Sequence, residues 1–158
     1  MRSCPKPVKK EKKKRKFTKS DEKKAIKRLS EECKSICSEI CKLLWGGKCA
    51  VCGKPGTAAH HFFGWKSCSN VRFDKDNLAW LCYYDHIGKI HQQGLTEPVR
   101  EAIIKRIGQE RFDILYAQAF KRHDYTSEEL TAIKEEKKFY LQTLEENIKK
   151  YGSPSMGR

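Results

Sequence analysis

Residues 76–86 read Asp76-Asn77-Leu78-Ala79-Trp80-Leu81-Cys82-Tyr83-Tyr84-Asp85-His86. Upstream of this stretch stand His60 and His61; Asn77 follows His61 by sixteen residues, and His86 follows Asn77 by nine. Four of the five histidines (His60, His61, His86 and His91) fall within 32 residues, and Cys49, Cys52, Cys68 and Cys82 lie in or just before that window. Core packing has no need for such crowding of ligand-type side chains. Residues 48–92 therefore read as short strands, turns and one short helix organised around bound metal.

Cys49-Ala50-Val51-Cys52, followed by Gly53, is a CxxC knuckle. Two thiolates at this spacing can both face one Zn2+ across a tight turn. Cys82 is the natural third ligand, and the position that a second CxxC would use holds Asp85. The fourth ligand stays open between Asp85 and Cys68, and a reduced, partly buried thiol cluster is the competing reading. Cys33, Cys37 and Cys41 recur four apart on an apolar helical stripe, where free thiols act as small core hydrophobes.

Outside the window the chain is helical. Ser20, with Asp21 and Glu22, suits a helix start, and Gly46-Gly47 ends that helix. Thr96 with Glu97-Pro98 opens a second helix that runs through Ile107 to Gly108, and another piece covers about 110–120. Thr126 and Glu129 form a capping-box pair before the last helix, which Gly152 and Pro154 end. The organisation expected is a disordered basic tail (1–19), a helix (20–46), a metal-bearing core (47–95), a helical region (96–151) and a flexible end (152–158).

The formal charge is +14, and residues 1–19 hold ten basic residues against the single acid Glu11. Each Lys or Arg set beside a phosphate releases condensed counterions, so a polyphosphate partner is expected. Lys12, Lys13, Lys14, Arg15 and Lys16 in the tail, with Lys66, Arg72 and Lys89 in the core, are the candidate DNA contacts. No run of about 18 apolar residues exists, which excludes a transmembrane helix; a cytoplasmic protein with reduced cysteines is expected. Phe62, Phe63 and Trp65 could stack on bases, but core packing around a small ββα unit is the stronger expectation.

The order His61, Asn77, His86 resembles the HNH nuclease motif, which places a His at the end of one strand, an Asn near a second, and a His on the following helix. The resemblance implies an α+β fold: a small, zinc-stabilised ββα-metal core flanked by N- and C-terminal helices. It makes His61 the general base, His60 and His86 ligands of a catalytic Mg2+ or Mn2+, and Asn77 the residue that fixes the loop and orients the His61 ring. Those residue types suit phosphodiester hydrolysis, which needs a base for water and a cation for the developing charge. His91 lies five residues after His86, about 140° around an α-helix. As a third ligand it requires the helix to end or distort near Gly88; a phosphate contact or a surface histidine are the other readings.

A closer resemblance is to the NinG (Rap) family of lambdoid phage recombination proteins. It rests on Cys49-Ala50-Val51-Cys52, Ala59-His60-His61, Arg72-Phe73-Asp74-Lys75-Asp76-Asn77, Ile104-Lys105-Arg106-Ile107-Gly108-Gln109-Glu110 and Thr126-Ser127-Glu128-Glu129-Leu130-Thr131-Ala132-Ile133-Lys134. The chain departs from that pattern at Asp85, which breaks the second CxxC, and at His60, which precedes the family His. The resemblance implies a structure-selective endonuclease on branched intermediates such as Holliday junctions and D-loops. Cutting a symmetric junction on two strands points to a homodimer. The alternatives are a zinc-stabilised DNA-binding protein without catalysis, and an accessory recruiting host or phage recombination proteins through its last helix.

Overall fold

A computed structural model describes residues 18–152. Helix α1 spans Lys19–Leu44. It begins before the Ser20 start expected from the sequence, because Thr18 and Asp21 cap each other reciprocally and satisfy two free backbone N–H groups. Its buried stripe is Leu29, Cys33, Cys37, Ile40 and Cys41. The thiols of Cys33 and Cys37 donate to the Leu130 and Phe73 carbonyls at 3.5 and 3.6 Å. Burial pushes Cys37 and Cys41 up to about 12, so they remain protonated core thiols.

Gly46 and Gly47, at φ 58° and 69°, turn the chain out of α1 in a conformation that other residues adopt only with strain. Strand β1 (Ala58–His61) pairs antiparallel with β2 (Leu78–Leu81), with Ala58 opposite Leu81 and His61 opposite Leu78. Every residue of β2 is buried, and Trp45 donates its indole N–H to the Leu78 carbonyl at 3.1 Å. The hairpin is thereby fixed to the end of α1.

Sixteen residues separate the strands (62–77), and Asn77 ties them down. Fully buried, it accepts from the Phe63 N–H at 2.7 Å and donates to the Phe63 and Val71 carbonyls at 3.0 and 3.1 Å. Asn77→Ala leaves one donor and two acceptors buried without partners. It should cost about 2–4 kcal/mol, read as a lower urea midpoint with unchanged slope.

After β2 the segment Tyr84–Gln92 winds as a π-helix, with i→i+5 hydrogen bonding, and Gly94 at φ 71° stops it. Helices α2 (Glu97–Ile107), α3 (Gln109–Ala119) and α4 (Ser127–Tyr151) follow. Gly108 at φ 83° makes the sharp corner between α2 and α3. Arg111 then bonds Asp76 and Asp74 at 2.9 and 2.7 Å, and Arg106 donates to the Lys75 carbonyl at 3.1 Å. Arg106 also pairs with Asp76 at 3.5 Å, so two separate stretches that carry the family resemblance meet in one ion-pair clamp.

Thr126 and Glu129 cap α4 reciprocally. The helix lies along α1, where Leu130 is fully buried and Lys134 meets Glu32 at 2.7 Å. Among the described residues no helix is long and apolar enough to cross a membrane.

Candidate functional site

Two ligand clusters flank the π-helix. Cys49, Cys52, Cys82 and Asp85 form the first, their ligand atoms all within 4.8 Å of one another. The knuckle closes because the Gly53 N–H bonds the Cys49 carbonyl at 2.9 Å and Gly53 accepts φ 70°. Asp85 is 1% exposed, with Oδ2 at 3.1 Å from Cys49 Sγ and 3.2 Å from Cys82 Sγ. Two thiolates on one tetrahedral zinc, at about 2.3 Å each, stand about 3.8 Å apart. Cys52 and Cys82 are 3.7 Å apart. The donor set therefore fits Zn2+.

The fourth position falls to Asp85 and not to Cys68, which is buried beside Ser67 away from the cluster. Lys89, expected from the sequence as a DNA contact, instead meets Asp85 Oδ1 at 2.7 Å. With an ion bound there, it would offset some of the negative charge that three thiolates and a carboxylate would bring. The acid–base spacing of four residues is a legible signal for this pairing. Burial opposes the Asp85 carboxylate, yet hydrogen bonds from Cys52, Lys89, Cys49 and Cys82 hold its pKa well below the usual range.

His60, His86 and His91 form the second cluster, also within 4.8 Å at their ligand atoms. The π winding decides this. With i→i+5 bonding, residues five apart come nearly above one another, so His91 joins His86 on one face. Their Nε2 atoms are 3.2 Å apart. Two imidazoles on one tetrahedral ion, at about 2.0–2.1 Å each, would stand about 3.3 Å apart.

The ring of His60 closes the group from β1, with centroids 5.1 Å from His86 and 5.5 Å from His91. Burial lowers the pKa of His60 to about 4, with further depression from His86, His91 and His61, and burial also lowers His86. These two rings are neutral near pH 7 and offer lone pairs. Three imidazole nitrogens suit Zn2+, Ni2+ or Co2+ better than the Mg2+ or Mn2+ expected from the sequence, since those ions favour oxygen ligands.

His61 stands apart from this group. Its Nε2 is 3.0 Å from the Arg72 carbonyl, which can only accept, so Nε2 carries the proton and Nδ1 the lone pair. Burial is the main cause of its lowered pKa. The ring also packs edge-on to Trp65, at 5.0 Å between centroids. The Arg72 carbonyl and Trp65 thus hold the ring; Asn77 fixes the loop but makes no bond to His61, contrary to the orienting role expected for it.

The Arg72 side chain lies half-buried, 5.2 Å from the Trp65 ring and 5.7 Å from that of Tyr125, while Lys66 is exposed. Trp65 is a half-buried platform, a role its aromatic character alone does not separate from core packing. Lys12, Lys13, Lys14, Arg15 and Lys16 lie outside the described residues.

The fold and its clusters define a helix-rich protein with a small two-stranded sheet and room for metal at two places, one lined by three cysteines and an aspartate, the other by three histidines. The family model described as Bacteriophage Lambda NinG protein matches residues 2–147, and the chain belongs to this family. Membership implies a phage recombination-related function. No curated protein and no solved structure gives a significant match.

Proposed function

We propose that this protein is a divalent-metal-dependent DNA endonuclease of the HNH type, acting on branched recombination intermediates such as Holliday junctions and D-loops. The observation that carries the reading is the convergence of His60, His86 and His91 at the hairpin, with His61 next to His60 in the chain and its ring held in one tautomer. A bound cation would supply charge stabilisation for the phosphate. The chain's own residues supply the base: His61 Nδ1 takes a proton from water as that water attacks phosphorus. The Arg72 carbonyl keeps the ring oriented and stabilises the imidazolium that forms. The P–O bond then breaks, and the leaving oxygen takes its proton from solvent.

Position outside the three-histidine group suits a base, since a histidine bound to the cation has no lone pair left for water. The formal charge of +14 supports a nucleic-acid substrate. The same charge and the cysteine–aspartate cluster would equally serve a zinc-stabilised, non-catalytic DNA-binding accessory.

Supercoiled plasmid, linear duplex and a synthetic four-way junction, incubated with Mg2+, Mn2+, Zn2+, Ni2+ or chelator, separate the two. Cleavage in at least one metal and none in chelator is expected, with the junction cut faster than linear duplex. Binding without cleavage in every metal leaves the accessory reading. Equal cutting of junction and duplex removes the branched-substrate preference and keeps the nuclease.

A further inference from the structure

An aromatic surface on α3 is not used by either cluster. Tyr116 and Phe120 are 54% and 68% exposed, and their ring centroids stand 5.1 Å apart. Both rings adjoin Phe63, at 5.9 and 6.4 Å, and Phe63 in turn adjoins Phe62 and Phe112. Phe63 and Phe112 are buried and serve the core. Tyr116 and Phe120 are not, and two adjacent exposed aromatics beside further rings form a patch that core packing does not explain.

Beside them opens a pocket of about 430 Å³ lined by Phe62, Arg100, Phe112, Asp113 and Tyr116. The guanidinium of Arg100 lies 5.4 Å from the Phe112 ring centroid and also pairs with Glu97 at 2.8 Å. Asp113 Oδ1 accepts from Gln109 at 2.7 Å.

We propose that this pocket receives one unstacked nucleobase of the bound DNA strand. The inference rests on the DNA-cleaving reading above and names a substrate feature of the same site. The lining carries three ring faces or edges, one cation and one carboxylate. A carboxylate repels phosphate but accepts from the amino or imino edge of a base, so the pocket is suited to the base rather than to the backbone. Stacking on aromatic side chains, with a guanidinium alongside, is the general means by which proteins hold unpaired bases.

Position supports the same occupant. Phe62 follows the His60-His61 pair directly, about 7 Å along the chain from His60. Arg100 lies at the start of α2, nine residues after His91. A strand held at the histidines would then offer a neighbouring base to the pocket on the Phe62 side. Unpaired bases occur in bulges and in the displaced strand of a D-loop and are lacking in intact duplex, so a base pocket gives a physical basis for selecting DNA that carries them.

The test uses the full-length protein, with no divalent cation added, and a duplex carrying one unpaired 2-aminopurine beside the same duplex fully paired. Wild type should bind the bulged duplex about 5- to 100-fold more tightly and quench the 2-aminopurine on binding. Tyr116→Ala should remove that preference and the quenching while leaving affinity for paired duplex unchanged. Tyr116→Phe should keep both, and Phe139→Ala, an exposed ring on α4, should behave as wild type.

Equal wild-type affinity for the two duplexes overturns the pocket, as does an equal loss on both in Tyr116→Ala. Cleavage of junctions without any bulge preference removes the pocket and keeps the nuclease. Bulge preference with quenching but no cleavage in any metal keeps the pocket and removes the nuclease.

Discussion

His60→Ala should lower the DNA cleavage rate by at least about 10³-fold and release metal from the three-histidine site. His61→Ala should lower it by about 10²–10⁴-fold while metal content stays at the wild-type level. The two outcomes differ because the residues are neighbours on β1 with different surroundings. His60 meets the rings of His86 and His91, and it is buried enough to stay neutral. Its loss removes one of three nitrogens. On the proposed nuclease reading, a cation that would contribute several kcal/mol to the transition state would then contribute little, and each 1.36 kcal/mol is about tenfold in rate.

His61, by contrast, has its Nε2 on the Arg72 carbonyl and no place in that group. Single-turnover cleavage of a labelled junction, with metal content measured on the same preparations, reads both effects. Loss of metal in His61→Ala would make it a ligand and remove it as the base. Unchanged cleavage in His60→Ala would take the three-histidine site out of the reaction altogether.

Cys82→Ser, or extraction of metal by a strong chelator, should lower Tm by more than about 10 °C, because a structural zinc stabilises by binding only the folded chain. Cys82 is central to its cluster: its thiol lies 3.7 Å from Cys52 and 3.2 Å from Asp85, and it follows β2 directly. Removing it frees the knuckle from the end of the sheet and from the first turn of the π-helix. Cleavage should fail together with stability, since Asp85 and His86 are adjacent in the chain. Zinc analysis beside a thermal melt checks this. A variant with wild-type Tm and no zinc in the parent protein would leave a reduced thiol cluster as the right description.

Much of the fold is legible in the sequence, for identifiable reasons. The CxxC spacing, the helical stripe of α1 and the capping boxes are local, and local spacing survives folding. Ser20 yields the cap to Thr18 because the reciprocal bond with Asp21 needs a three-residue span. The fourth ligand is less legible: Asp85 and Cys68 are both downstream of the knuckle, and only the path of the chain between the strands separates them. Lys89 reads as a basic surface residue, though its distance from Asp85 already puts the two on one helical face.

His91 does not resolve from sequence for a different reason. The α-helix is the only helical period that sequence reading assumes by default, and that period sends His91 away from His86. The clamp from Arg106 and Arg111 to residues 74–76 joins positions about 30 or more apart, which no periodicity reports.

The π-helix Tyr84–Gln92 carries a consequence for how this segment can change over time. Its two histidines, five positions apart, converge only because the winding is wide; with one residue fewer, an ordinary α-helix would present them four apart on one face. Insertion or deletion here would therefore be coupled to helix type if the angle between the two side chains is to be kept. Relatives with four-residue spacing and relatives with five would look misaligned by a gap, yet would be equivalent in space. Spacing and winding have to be read together, as one inherited unit.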